Sequence, residues 1–227
     1  MNERLLTHYN NLWESARSQF VNGKCKVDPL IDDHHDQRRG ITLLARPDQT
    51  IIDKISDLQN NLKHIEPEQY FQPISDLHLT VLSIISCYAG FDLSQIKTES
   101  YKKIVSECLT KSITIRCQGI TASPSGVLIQ GFPEGNELET LREGLRDSFK
   151  SADLPHSIDS RYRISTAHLT IMRFRKPMVN PKKFVGLLEK FQHHFFGKMK
   201  IGELHLVFND WYQRTEIVKD LATFELY

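Results

Sequence analysis

Cysteine is scarce in this sequence, with four in 227 residues: Cys25, Cys87, Cys108 and Cys117. None stands in a C-x-x-C pair or at zinc-ligand spacing, so buried reduced thiols in a cytoplasmic protein are expected. Long hydrophobic runs are missing too. No window approaches the about 20 consecutive apolar residues of a membrane span. The polar start MNERLLTHYNNLWESARSQF has no apolar signal core, so secretion is not expected either. Net charge is nearly absent: 29 Lys and Arg stand against 28 Asp and Glu. Wrapping duplex DNA requires many neutralised phosphates, and this balance argues against that role. It leaves room for a short nucleotide in a local basic site. Hydrophobic residues make up 40% and charged residues 25%, the composition of a folded domain with a real core.

Asn2–Phe20 carries one apolar stripe through Leu5, Leu6, Tyr9, Leu12, Trp13, Ala16 and Phe20, which predicts a helix. The polar stretch that follows predicts a loop, so residues 1–40 read as an extension, a helix and a flap, on a main body of residues 41–227. In that body Ile41–Ala45 predicts a strand, and Arg46-Pro47-Asp48 a stop and helix cap. A helical stripe follows from Ile51 to Ile65. Leu77–Ile85 predicts a strand and Tyr101–Leu109 a helix. A hairpin over Ile113–Cys117 and Val127–Phe132 comes next, then a helix through Leu138, Leu141, Leu145 and Phe149. Thr166–Phe174 predicts a strand, the apolar positions from Phe184 to Phe195 a helix, and Ile201–Phe208 and Glu216–Glu225 two last strands.

The order strand, helix, strand, helix occurs in Ile41–Leu109 and again in Val127–Phe196, each time with His-Leu-Thr in its second strand. The fold class expected from this duplication is α+β. Two pseudo-symmetric α+β lobes with antiparallel sheets flank a central cleft, and the N-terminal helix is added to them.

The repeated triplets carry the chemistry. Strand side chains at i and i+2 share a face, so His78 pairs with Thr80 and His168 with Thr170, while Leu79 and Leu169 turn to the opposite face. Two strands meeting at the pseudo-axis bring two imidazoles and two hydroxyls to one point. Displacement at phosphorus needs one proton removed from the attacking oxygen and one delivered to the leaving oxygen, and imidazoles titrating near neutrality do both. Threonine hydroxyls hold the non-bridging oxygens. The scheme needs no metal and no cofactor.

The stretches LHLTVLSII and AHLTIMRF resemble the paired H-x-[T/S]-x signatures of the two-histidine (2H) phosphoesterase superfamily. That superfamily includes RNA 2′,3′-cyclic phosphodiesterases, also named 2′-5′ RNA ligases. The resemblance spans about Ile41 to Tyr227. It implies a bilobal fold and metal-independent cleavage of 2′,3′-cyclic or 2′-5′ phosphodiesters, with His78, Thr80, His168 and Thr170 as the active residues. Two alternatives stay open, a non-catalytic binder of nucleotides or RNA ends and a 2′-5′ RNA ligase.

No acidic residue occurs from Ser160 to Leu188, while Arg161, Arg163, Arg173, Arg175, Lys176, Lys182 and Lys183 do. A basic field there suits an anionic substrate. Arg163 and Arg173 are the candidate phosphate contacts, although strict alternation turns Arg173 away from His168 unless a bulge intervenes. Tyr88, like Tyr70 and Phe71, is a candidate for stacking on a base. Asp32-Asp33-His34-His35-Asp36 is read as a polar loop, because adjacent residues ligate one metal ion poorly.

Overall fold

The computed structural model describes residues 2–227. In chain order the elements are α1 (Glu3–Phe20), β1 (Arg38–Ala45), α2 (Gln49–Ile65), β2 (Tyr70–Phe71), β3 (Leu79–Ala89), α3 (Thr98–Glu107) and β4 (Ile113–Ser123). They continue with β5 (Gly126–Pro133), α4 (Glu137–Ser151), β6 (Leu169–Arg173), α5 (Pro181–Phe191), β7 (Phe195–Ile201), β8 (Glu203–Asp210) and β9 (Lys219–Glu225). Side chains start two of the helices. Asn2 accepts from the Leu5 N–H at the head of α1, and Asp48 accepts from the Ile51 N–H at the head of α2.

The strands form one curled antiparallel sheet in the order β7-β4-β5-β6-β3-β1-β8-β9, with β2 pairing β6. The order is nearly palindromic about the β6–β3 junction, as the duplication predicts. Each half supplies four strands, and the two motif strands stand side by side at the centre. The helices then cross over. The helix that follows β1, α2, packs against β6, β7 and α5 of the second half, whereas α4, which follows β5, packs against β3 and α3 of the first. Neither half therefore closes a core alone. One apolar cluster runs from Trp13 and Phe20 through Leu79 and Leu169 to Phe224.

Two stretches differ from the sequence expectation. Phe195 does not extend α5. Its chain turns at His194 and enters β7, where exposed Phe195, Lys198 and Lys200 contrast with buried Phe196, Met199 and Ile201. The apolar rhythm of the helix ran on into a strand. The C-terminal region accordingly holds three strands, β7 to β9, where two were expected.

The start of the chain is stitched into the second half, whereas Arg38–Gly40 already belong to β1 and pair with β3 and β8. Helix α1 buries Leu5, Tyr9, Trp13, Ala16 and Phe20 and packs on β4 and α5. Beyond it the backbone N–H of Lys26 bonds the Pro124 carbonyl, and that of Asp28 bonds the Phe174 carbonyl. The Tyr9 hydroxyl accepts from the Ala167 N–H at 3.2 Å and donates to the Gly131 carbonyl at 3.2 Å. Only glycine fits at 131, since a Cβ there would lie 1.8 Å from the Ala167 carbonyl oxygen. Removing the hydroxyl orphans a buried backbone donor. Tyr9→Phe should therefore lower the unfolding free energy by about 1–3 kcal/mol. Urea denaturation checks this, and an unchanged midpoint would mean that the hydroxyl contributes nothing.

Candidate active site

At the junction of the halves, the described ladder between β3 and β6 is a single pair, Leu79 opposite Leu169. Antiparallel register around it sets His78 across from Thr170 and Thr80 across from His168. Leu79 and Leu169 are fully buried toward the helices. The four polar side chains take the other face and line one cleft.

So short a ladder needs another brace, and α4 supplies it. Arg142, fully buried, donates from Nε to the Val81 carbonyl at 2.8 Å and from Nη2 to the Thr80 carbonyl at 3.1 Å and the Thr166 carbonyl at 2.8 Å. One guanidinium thus joins the backbones of both motifs. Burial pulls its pKa down to about 10, which leaves it charged at neutral pH. A hand from the other side is given by α2. Gln59 Nε2 donates to the carbonyls of Ile171 at 2.9 Å and Gln72 at 2.8 Å.

Bulges decide what else faces the cleft. Leu128 pairs with Thr170 but Val127 with Met172, so Ile171 is an extra residue in β6. Ile171 and Met172 are both buried, and Arg173 returns to the face of His168 and Thr170. Strict alternation would have turned it away. In β3, Thr80, Ser83 and Ser86 line the cleft, a spacing of three that strict pleating forbids. The register shifts between β1 and β3 produce it, leaving Val81, Leu82, Ile84 and Ile85 buried beneath.

The two rings are held differently. His78 Nδ1 lies 2.8 Å from the Asp76 carbonyl. A carbonyl only accepts, so Nδ1 carries the proton and Nε2 keeps a lone pair. His168 Nδ1 lies 2.8 Å from the Thr166 hydroxyl, which donates or accepts, so this ring is free to hold a proton on either nitrogen. Burial pushes both imidazoles down to about 4. Arg173 adds to the effect on both, and His78 and Arg142 act on His168, while the Asp76 carbonyl opposes it at His78. Without a ligand both rings are neutral at pH 7.

Among the other expected contacts, Arg173 reaches the cleft, and its buried Nε has no partner among the described residues. Arg163 does not: its Nη2 is held by Glu143 at 2.5 Å on the outer surface. Tyr88 also stays outside, with its hydroxyl on Gln95 and its ring tilted against Phe91. Tyr70 packs on Tyr212, beneath the Arg175 guanidinium. In the polar loop Asp32 pairs with Arg175 and Asp36 with Arg38. No group of three metal-ligating side chains converges among the described residues. The sequence reading left Trp211, Asn209, Gln213 and Ser157 unassigned, yet all four line the cleft. No triplet or charge run marked them, because Asn209, at the end of β8, and the loops that carry the other three come from distant parts of the chain.

Two expectations follow. Arg142→Met leaves three carbonyls without their charged donor and should cost about 3 kcal/mol or more, measured by denaturant unfolding. Wild-type stability near water would rule out the brace. For pH, each histidine binds its proton more weakly folded than unfolded. Stability is therefore full above the unfolded pKa near 6.5 and falls as pH drops toward 4. His168→Asn should flatten this acid limb in thermal unfolding curves, and parallel limbs would refute the depressed pKa.

The AKAP7 2′5′ RNA ligase-like domain family matches residues 44–216. No curated protein sequence matches the chain. Among solved structures, E. coli LigT in complex with 3′-AMP is similar over 83% of this chain and 98% of its own, with a TM-score of 0.59 at 14% identity. A protein of Thermus thermophilus is similar over 82% and 97%, with a TM-score of 0.54 at 15% identity. An Agrobacterium tumefaciens protein of unknown function is similar over 87% and 94%, with a TM-score of 0.52 at 12% identity. With the duplicated α+β architecture and its paired His-Leu-Thr strands, the match places this chain in the AKAP7 2′5′ RNA ligase-like domain family of the 2H phosphoesterase superfamily.

Proposed function

We propose that this protein is a cytoplasmic, metal-independent phosphodiesterase acting on 2′,3′-cyclic phosphate or 2′-5′ phosphodiester bonds of nucleotides or RNA ends. The observation that carries the reading is the convergence of His78, Thr80, His168 and Thr170 on one cleft, with Arg173 beside them. E. coli LigT, similar in fold, has been crystallised with phosphate, 3′-AMP, ATP and NADP+, which supports a nucleotide phosphate as ligand here.

In this reading His78 is the base. Its Nε2 lone pair takes the proton from the attacking oxygen, whether water or a neighbouring ribose hydroxyl. His168 is the acid, and its proton goes to the leaving oxygen as the P–O bond breaks. The Thr166 hydroxyl accommodates both protonation states of His168 by rotating between donor and acceptor. Thr80 and Thr170 hold the non-bridging oxygens, and the Arg173 guanidinium offsets the charge that builds on them. The bound phosphodiester brings the negative charge that the free cleft lacks, which favours a proton on His168.

Substitution tests the assignment. His78→Ala and His168→Ala should each lower kcat by about 10²–10⁴-fold on 2′,3′-cyclic nucleotides or 2′-5′ dinucleotides, with an unchanged circular dichroism spectrum. Wild-type turnover should persist in excess chelator. Full activity in either variant sinks the acid–base assignment. Tight binding without turnover across the panel would make the protein a binder, and product formation only from cleaved RNA halves would make it a ligase.

A further inference from the structure

The cleft continues past the histidines along β3, and its far end is built differently. There the loop of residues 157–161 is tied to the end of β3. The Ser157 N–H bonds the Ile84 carbonyl, the Ser86 N–H donates to Ser157 Oγ at 2.7 Å, and Arg161 Nη2 donates to the Cys87 carbonyl at 3.1 Å. The Arg161 guanidinium also lies over the Trp211 ring, 5.3 Å from its centroid. The Trp211 ring and one backbone bond hold this exposed guanidinium at the rim of the cleft, no carboxylate lies within 4 Å of it among the described residues, and its other N–H groups have no protein partner there. The neighbouring basic residues do have partners: Arg163 has Glu143, and Arg38, on Trp211 as well, has Asp36. Asp159, the carboxylate lining this end, is already bound by Arg146. The hydroxyls of Ser86 and Ser160 line the same wall and make no hydrogen bond to the described protein.

A guanidinium held at the rim of a cleft without a carboxylate partner, among free hydroxyl donors, is complementary to a phosphate. From Thr80 to Ser86 the strand spans about 20 Å at 3.3 Å per residue, less what the bulges remove. At about 3.4 Å of rise per stacked nucleotide, that is room for several units between the two ends. We infer that Arg161, with Ser86, Ser157 and Ser160, forms a second phosphate subsite, so that the preferred substrate carries a further phosphate at least one nucleotide unit from the bond that is cut. The inference rests on the phosphodiesterase reading above and narrows its substrate class to oligonucleotide ends or 5′-phosphorylated nucleotides, over nucleoside cyclic monophosphates.

Two substrate series separate the sources of that phosphate. In one, a 2′-5′ adenosine dinucleotide is compared with its 5′-monophosphate and 5′-triphosphate forms. In the other, adenosine 2′,3′-cyclic phosphate is compared with a 3′-5′ dinucleotide ending in the same cyclic group. Within the series that is turned over, the member with the second phosphate should have a kcat/KM about tenfold to a hundredfold higher, mostly through KM. In Arg161→Ala that ratio should fall to near one, while Arg163→Ala, a cation outside the cleft, should keep it. A wild-type ratio near one overturns the subsite. So does a ratio that survives in Arg161→Ala or collapses equally in Arg163→Ala. Calorimetric binding of the same pairs to the intact protein reads the subsite independently of turnover. Absent turnover with a phosphate-dependent affinity gain that Arg161→Ala abolishes would overturn the phosphodiesterase reading alone. Equal affinities would overturn the subsite alone.

Discussion

A buried charge at the seam between two half-sheets is the constraint on which the site depends. Where β3 and β6 meet, their ladder is down to the pair Leu79 and Leu169, too little to set two histidines against each other. Arg142 closes that gap with bonds to the carbonyls of Thr80, Val81 and Thr166. It has no carboxylate partner among the described residues, and three aligned carbonyl dipoles take that role. Such an arrangement is intolerant of lysine, whose single ammonium cannot reproduce the planar fork. The crossing of the helices has the same consequence at larger scale. Since α4 braces the first motif and α2, through Gln59, the second, neither half can shift its histidine without disturbing the other's support.

The duplication, the order of most elements and the two His-x-Thr faces were legible in the sequence because each rests on a local period. Strand alternation places His78 with Thr80 and His168 with Thr170 wherever the chain runs as a strand. What local periods do not contain is the bulge. Ile171 looks like one more alternating residue, and only the cross-strand register shows it to be the extra one that returns Arg173 to the cleft. The same holds for Ser83, which pleating alone turns away from Thr80 and Ser86. Arg163 lies outside the cleft for the complementary reason. A run without acidic residues says nothing of the carboxylates that fold against it, and Glu143 comes from α4. Arg142 was invisible as a brace because a lone arginine on an amphipathic helix reads as a solvated charge.

The electrostatics of the empty cleft follow from this construction. Two imidazoles, two arginines and a row of hydroxyls face inward, and the carboxylate among them is spent on Arg146. In such surroundings protonating a histidine is unfavourable, because burial and the Arg173 charge both oppose it. In the proposed reading an incoming phosphate would reverse that balance beside His168. With His168 as the proposed acid, its protonated state would be tied to occupancy, so that the histidines add no further positive charge to the arginines when nothing is bound.

The same balance bears on selectivity. A cleft with Arg173 at one end and Arg161 at the other holds two guanidiniums without carboxylate partners among the described residues, and a ligand with a single phosphate leaves one of them solvated and idle. In the reading proposed above, a ligand with two phosphates would satisfy both. In that reading the spacing of anions would govern substrate choice, because the loop that carries Arg161 is anchored to β3 by three hydrogen bonds and resists sliding to suit a shorter ligand.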